Sequence, residues 1–580
     1  IKTAPQQKPG EEYVEDVKDR KVDSSKISEV WLPNSNTAFR LLMSANLCSA
    51  LMNNITDCDE TYNYWEPLHH LLYGEGFQTW EYSPAYAIRS WAYIYMHSMF
   101  TWAHFGFLNS NKLLVFYFIR MIFGLICTLC QVQFYEGVAL RFGNNVARIL
   151  LTFMVLSTGM FISATAFLPS TFCMFGTYLF MGLWLQGKLN YAILTVAASA
   201  ILGWPFSAAL GVPLAFDVLV RRQKFWFFTK WCLVAIATML VPCFALDSYF
   251  YGKPVIASLN ILFYNVFTEH GPDIYGTEPL SYYLINGFLN FNVAFILALA
   301  TIVIVPLVEV IIMQKLKGYK PPVLLISFSI APMYIWILIF FTRPHKEERF
   351  LFPIYPLICL SASITLATIQ KLYGFFKLHK YLNVQWIAVV VLTAYGCISL
   401  SRSFVLFNAY HGSMELYPKL HNIADRADTS EKIIHICMGK EWHRFPSSFF
   451  LPQNFTLDFI ESEFRGQLPA KFQAPGVNGT RIEPRHFNDE NLEEKSRYVS
   501  LDSCHFIIDL NHGEKSRFEP IYSEDKKHWQ VIKEVDYLIA SKSNSRFHRA
   551  FYIPFYFNDR NVFGKYQLLQ SKTNLLKRKP

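Results

Sequence analysis

Up to about Leu406 the chain alternates long, nearly uncharged apolar runs with short basic or aromatic stretches, and beyond that point it turns polar. A helix needs about 20 apolar residues to cross the hydrocarbon of a bilayer. Eleven runs approach that length: around 38–53, 85–107, 112–132, 146–167, 170–187, 190–217, 226–250, 288–312, 322–342, 350–370 and 384–404. The first is short and carries Arg40, and the fifth has awkward flanks, so the count holds to within one or two. The pattern predicts an all-α polytopic membrane body of about 11 transmembrane helices over residues 37–406. A charged, Pro-containing arm (1–36) precedes it, and a smaller polar domain (407–580) follows. That tail mixes short apolar runs with turn residues and reads as α/β-like.

Composition agrees with lipid as the solvent: of 580 residues, 52% are hydrophobic, 17% charged and 17% aromatic, an aromatic load above that of soluble domains. The net charge of +9 does not mark a nucleic-acid binder, because the Lys and Arg residues fall in short clusters between apolar runs. The first residue is Ile1, so the chain reads as a fragment lacking its true start, and no cleavable signal peptide is visible. Most of the 11 cysteines lie inside apolar runs; Cys58, Cys437 and Cys504 lie in polar segments. Cys437 and Cys504 are a disulfide candidate if the tail is lumenal, with two free thiols as the alternative. No Cys/His cluster has structural-zinc spacing.

Two independent signals orient the body, basic clusters for the cytosolic side and glycosylation sequons for the lumenal side. With the arm cluster Lys18, Arg20 and Lys21 in the cytosol, eleven crossings also leave Arg221, Arg222 and Lys224, then Lys315, Lys317 and Lys320, then Lys371, Lys377 and Lys380 on that side. The same count places the candidate acceptors Asn54, Asn454 and Asn478 in the lumen. The C-terminal Lys577–Pro580 resembles a dibasic retrieval signal but would lie in the lumen, out of reach of a cytosolic coat. The lumenal face then collects loops 54–84, 252–287 and 343–349 together with the tail.

Three carboxylates, Asp57, Asp59 and Glu60, follow the first apolar run directly, where charge is costly unless solvated or used. A solvated interfacial loop and a catalytic carboxylate are equally good accounts of them. An Asp-x-Asp pattern also suits a divalent metal, but a site at a bilayer surface more naturally takes a lipid-phosphate donor, and no metal is expected. The aromatics after it (Tyr62, Tyr64, Trp65, Tyr73, Phe77, Trp80, Tyr82, Tyr86) read mostly as interface anchors, with one or two free to stack on sugar. Between two apolar runs, Arg343, His345, Lys346 and Arg349 break the positive-inside pattern. If that segment starts a helix, His345 and Arg349 share a face that could hold a phosphate; an internal ion-pair cluster with Glu347 and Glu348 is the plainer alternative. The loop bearing Tyr275-Gly276-Thr277-Glu278-Pro279 is too long for a mere connector, with packing at the interface as its default role.

The runs Asp57-Cys58-Asp59-Glu60-Thr61-Tyr62-Asn63-Tyr64-Trp65-Glu66-Pro67, Gly203-Trp204-Pro205-Phe206-Ser207-Ala208-Ala209, Tyr275–Pro279 and His345-Lys346-Glu347-Glu348-Arg349-Phe350 resemble glycosyltransferase family 22, and most closely its α-1,2-mannosyltransferases of asparagine-linked glycosylation. The resemblance implies the C-type membrane glycosyltransferase fold in the endoplasmic reticulum membrane. It implies transfer of mannose from dolichyl-phosphate-mannose to a dolichyl-diphosphate oligosaccharide acceptor with inversion, at the seventh and ninth mannose. It further implies Asp59 as base with Glu60 as neighbour or substitute and Asp57 third; His345, Lys346, Arg349 and, more weakly, Arg343 at the donor phosphate; and Asp57, Tyr64, Trp65, Glu66, Tyr275 and Glu278 around the substrates. No cofactor is implied. The alternatives are a sibling α-1,6 or glycolipid-anchor mannosyltransferase and, from another class, a lipid transporter or scramblase; the absence of an internal repeat and the gathering of charge at one face favour an enzyme.

Overall fold

The computed structural model describes residues 31–108, 111–268, 272–426, 433–543, 545–574 and 576. The arm cluster at 18–21 and the basic C-terminus at 577–580 lie outside them. Among the described residues six helices are long and apolar enough to cross a membrane: Lys112–Phe142, Phe225–Tyr251, Ser281–Lys315, Val323–Phe341, Glu348–Phe375 and Gln385–Tyr410. The other expected runs fold as shorter or broken helices, Ser35–Met52, Trp91–Leu108, Asn144–Leu156 followed by Thr158–Ser163, Pro169–Leu185, and Leu189–Gly203. The chain is therefore a multi-pass helical membrane protein, six of whose described helices have full spanning length.

Burial differs sharply among the spans. Glu348–Phe375 is central, 89% of its most apolar window being inside the protein, whereas for Phe225–Tyr251 that share is 17%. The buried helix packs along Ser281–Lys315, which breaks at Asn292 (φ 33°). The Asn292 amide is not left unsatisfied in the break, because it donates to Ser399 Oγ at 2.9 Å. Helices Lys112–Phe142 and Pro169–Leu185 meet through glycine: a Cβ on Gly137 would stand 2.7 Å from Gly182 O, and one on Gly182 2.6 Å from Gln133 O. Without a hydrophobic drive between helices in lipid, such close backbone approach supplies the packing.

Contacts sort the connections into two ends. At one, Lys371 bonds Glu309 and Tyr319, Asn145 bonds Gln370, and Trp184 bonds Asp217, which also pairs with Arg221 and Arg222. At the other lie the first loop, the segments around 252–280 and 343–347, and the C-terminal domain. That domain is a five-stranded mixed sheet in the order β3-β2-β5-β7-β6, with β2 (Ile434–Met438), β3 (Phe455–Phe459), β5 (Phe506–Asn511), β6 (Trp529–Leu538) and β7 (Phe563–Ser571). β2 runs parallel to β3 and β5, and β7 runs antiparallel to β5 and β6. Among the described residues its helical pieces are short, the longest being the ten residues of Tyr417–Arg426, and they join the sheet in an α/β mixture. Cys437 and Cys504 form a disulfide.

The first loop and the domain are joined. β1 (Phe77–Gln78) pairs antiparallel with β4 (Ala470–Lys471), and one hydrophobic cluster contains Tyr62, Trp65, Phe77, Phe449 and Phe459 as well as span residues. This changes the account of the loop aromatics. Tyr62, Tyr64, Trp65 and Tyr82 are at most 3% exposed and pack inward rather than anchoring at a lipid surface: the distant tail covers Tyr62 and Trp65, while Tyr64 packs on Tyr93 and Phe167 and Tyr82 on Trp91. Asn54 is likewise buried, its amide donating to Leu406 O at 2.8 Å, which leaves no room for a glycan there.

Candidate active site

The acidic loop owes its shape to a short helical turn. Asp57 caps Cys58–Glu60 by accepting from Asp59 N at 2.9 Å, and the chain then widens into a π-helical turn, Thr61–Trp65, before the regular helix Glu66–Tyr73. Such turns orient side chains that a regular helix would place elsewhere. Arg120, buried in the span Lys112–Phe142, fixes the loop's entry by donating to Ser49 O (3.1 Å) and Asn53 O (2.8 Å) at the end of helix Ser35–Met52. A cation on the terminal carbonyls of a helix is a stabilising arrangement.

Asp59 is the meeting point of two guanidiniums from distant elements. Arg349 Nη2 donates to Asp59 Oδ2 at 2.5 Å and Arg89 Nη2 lies 3.7 Å from the same oxygen. Arg349 also reaches Asp57 Oδ2 at 3.1 Å and pairs with Glu347. Arg89 is held in turn by a two-point contact with Glu81 (3.0 and 2.8 Å) and donates to Tyr64 Oη at 2.7 Å. Its place is set by the start of helix Trp91–Leu108, where Asp247 Oδ1 accepts from Ser90 Oγ and Ala92 N.

These surroundings separate the two aspartates electrically. Burial works to raise Asp59, but Arg349 and Arg89 outweigh it and hold the carboxyl below its ordinary range. Burial pushes Asp57 up to about 7, with Arg349 pulling the other way and Asp59 and Glu347 adding to the rise. Asp57, Cys58 and Asp59 each offer a metal-ligating atom, all within 4.8 Å of one another. Both carboxylates are already engaged by the protein's own guanidiniums, Asp57 by Arg349 and Asp59 by Arg349 and Arg89.

Glu60 and Glu66 have different surroundings. Glu60 accepts from Trp65 Nε1 and Phe167 N, both at 3.0 Å, at 4% exposure. Glu66 is fully buried and accepts from Ser447 Oγ, Ser448 N, Ser448 Oγ and Phe77 N, pinning the C-terminal domain to the loop. Burial pushes both carboxyls up against these bonds. Trp65, fully buried, is a core side chain.

The segment Arg343–Glu347 is a turn and helix begins only at Glu348, so His345 and Arg349 do not share a helical face. They meet instead through Glu347, which accepts from His345 Nε2 at 3.1 Å while pairing with Arg349, and the internal ion-pair account of this segment is observed to that extent. Glu348 goes elsewhere, accepting from Asn290 at 2.7 Å. Burial opposes charge on His345, but Glu347 and the Gly276 carbonyl raise it above the usual imidazole value. Lys346 donates to the carbonyls of Glu278 (2.7 Å), Pro344 (3.4 Å) and Arg343, and Arg343 is exposed. Tyr275–Pro279 thus backs the turn through main-chain groups: Glu278 N also donates to Pro344 O at 3.0 Å, while Tyr275 Oη accepts from Trp80. The Glu278 side chain is exposed.

Sequence reasoning missed Arg89, whose signal was a lone cation at the start of an apolar run on the acidic side. It also missed the half-open pocket beside it, whose walls include Tyr64, Arg89, Tyr93, Gly203, Trp204 and Ile261. Trp204 stacks obliquely on Phe350 (5.2 Å between ring centroids), linking the cavity wall to the segment that carries Arg349.

Residues 37–452 match the Alg9-like mannosyltransferase family. The chain is 50% identical over 561 residues to human alpha-1,2-mannosyltransferase ALG9, covering 95% of this chain and 91% of that one. It is 40% identical over 584 residues to Drosophila melanogaster alpha-1,2-mannosyltransferase Alg9, covering 97% and 92%. Among solved structures it is similar to ArnT from Cupriavidus metallidurans bound to undecaprenyl phosphate, at 12% identity and a TM-score of 0.47 over 74% of this chain and 86% of that chain.

Proposed function

Because this chain belongs to the Alg9-like mannosyltransferase family, we propose that it is an inverting α-1,2-mannosyltransferase of lipid-linked oligosaccharide assembly whose base is Asp59 and whose donor is dolichyl-phosphate-mannose. The α-1,2 linkage follows its relatives. The observation that carries the site assignment is the convergence of Arg349 and Arg89 on Asp59 Oδ2. A base alone needs no such pair, but a base beside a departing phosphate does.

In the reaction, an acceptor hydroxyl oxygen bonds to C1 of mannose as the bond from C1 to the phosphate oxygen breaks, and the electron pair leaves on dolichyl phosphate. Asp59 takes the hydroxyl proton; the phosphate is acidic enough to depart without a general acid. Arg349, His345 and Arg89 receive the phosphate and stabilise the charge that grows on it. Binding of the phosphate draws Arg349 off Asp59, so the donor itself frees the base. Lys346, held by carbonyls, shapes the turn, and exposed Arg343 adds positive field. The cavity beside Arg89 takes the phosphate-proximal part of the donor. The scheme adopts the C-type glycosyltransferase fold for the body and asks for no metal.

We place the site end in the lumen of the endoplasmic reticulum. The disulfide between Cys437 and Cys504 suits an oxidising compartment, and Asn454 and Asn478 lie at the surface of the same domain as N-glycosylation acceptors. The test is mannose transfer by purified protein from synthetic dolichyl-phosphate-mannose to six-mannose and eight-mannose lipid-linked acceptors, with and without EDTA. Product removable by an α-1,2-mannosidase, formed at the same rate with chelator, is the expected result. Transfer only to acceptors of the α-1,6 step or of glycolipid anchors would overturn the assignment, and loss with EDTA would put a metal at Asp57 and Asp59.

A further inference from the structure

Residues 546–562 of the C-terminal domain carry three large aromatic side chains that the other described residues leave mostly exposed. Phe555 is 92% exposed and Phe547 and Tyr556 are each 59% exposed, with Val562 at 41%. Phe555 also holds φ at 68°, a backbone conformation that a bulky residue adopts only at a cost. The turn around it is nonetheless closed, with Tyr556 N and Phe557 N both donating to Ile553 O. Arg546 and Arg560 are exposed beside these aromatics, and Arg549 lies close by, against one acid, Asp559.

The segment is seated on the last span. In helix Gln385–Tyr410, Ser401 Oγ donates to Tyr552 O at 2.9 Å, Arg402 Nη1 to Ala550 O at 3.2 Å, and Phe404 meets the Tyr552 ring at 4.7 Å. Phe557 packs with Val405 and Ala409 of the same helix. Val389, Val390, Leu400 and Phe404 are exposed along that span, so its lipid-facing surface runs into the Phe404–Tyr552 contact and on to the exposed aromatics. A strained, exposed aromatic turn flanked by arginines is unfavourable in water and well suited to a headgroup layer, where amphipathic rings settle and guanidiniums meet lipid phosphates.

We propose that the Arg546–Val562 segment is a membrane-contact element through which the C-terminal domain rests on the lipid surface at the site end. Its partner is the phospholipid headgroup layer. By fixing the height of the domain, the contact would steady the Lys440–Phe450 segment, which bonds the first loop through Thr61, Tyr62 and Glu66.

The test uses the full chain in phosphatidylcholine nanodiscs, with photoreactive p-benzoylphenylalanine in place of Phe555 or, separately, of Phe547. The control is the same probe at Leu501, which is 39% exposed and whose carbonyl accepts from Cys504 N, a residue of a core cluster made of C-terminal-domain residues. Because the probe is itself aromatic and the positions are exposed, folding is not at stake. Irradiation is expected to give lipid adducts, read by intact mass, at least about tenfold more abundant at 555 and 547 than at 501. Equal adduct levels at all three positions would overturn the proposal. Cross-linked dimers without lipid adducts would also overturn it, assigning the patch to a second copy of the chain.

Discussion

Asp57 and Asp59 lie within ten residues of Glu60 and Glu66, yet the two pairs have opposite surroundings. The aspartates keep side-chain exposures of 26% and 32% and are matched by guanidiniums carried on other elements. The glutamates are buried and bound by indole, hydroxyl and backbone donors fixed in place by the fold. A carboxylate held by rigid backbone donors cannot change partners without leaving those donors unsatisfied. One held by arginines can, provided another anion takes the arginines. The same residue chemistry, a few positions apart, thus serves structure in one pair and, under the proposed function, reaction in the other.

That contrast can be broken at several points. Arg349→Ala removes the group shared by Asp57, Asp59 and the incoming phosphate, and kcat/KM for the donor is expected to fall by about 10²–10³-fold, read by steady-state transfer, with the melting temperature little changed. Glu66→Ala attacks the other side of the comparison. It leaves Ser447, Ser448 and Phe77 N without their acceptor and should cost about 3 kcal/mol of stability, seen as a lower unfolding midpoint in nanodiscs, while activity per folded molecule falls less than about tenfold. Tyr64→Phe removes the acceptor of one charge-assisted hydrogen bond from Arg89 and should lower kcat/KM about threefold to tenfold.

The smallest expected effect is a null one in pH. A base works only when deprotonated, and Asp59, held below its ordinary range by Arg349 and Arg89, stays ionised as pH falls through the neutral region. Because kcat/KM reports the groups of the free enzyme, in which Arg349 still holds Asp59, kcat/KM for the donor should stay constant within about twofold between about pH 5.5 and 7. If Asp57 were the base, its carboxyl at about 7 would take up a proton in that window, and the rate would drop about tenfold per pH unit on the acid side.

Much of the membrane body was legible because lipid imposes a one-dimensional rule: each apolar run expected to be helical is helical, from Ser35–Met52 to Gln385–Tyr410. Where single runs break was less legible: the run expected over 190–217 is interrupted at Gly203 and Pro205, and that over 146–167 at Ser157. At the site, the acidic loop and the His345–Arg349 segment could be named from their unusual charge at an apolar boundary. Which acid faces the cations could not. Asp59 and Glu60 are neighbours in sequence, and only the pairing of Glu60 with Phe167 N, 107 positions away, takes it into the core. The inward burial of Tyr62 and Trp65 was equally hidden, because their covering comes from Trp442 and Phe449 in a domain nearly 400 residues later.

The most direct test compares Asp59→Asn with Glu60→Gln in single-turnover transfer from saturating dolichyl-phosphate-mannose, using protein whose unfolding midpoints have been measured. Asp59→Asn is expected to keep its fold and donor binding while the transfer step slows by at least about 10²-fold, and Glu60→Gln to lose stability while retaining transfer within about tenfold per folded molecule. An Asp59→Asn variant that transfers mannose at the wild-type rate would contradict the assignment of the base.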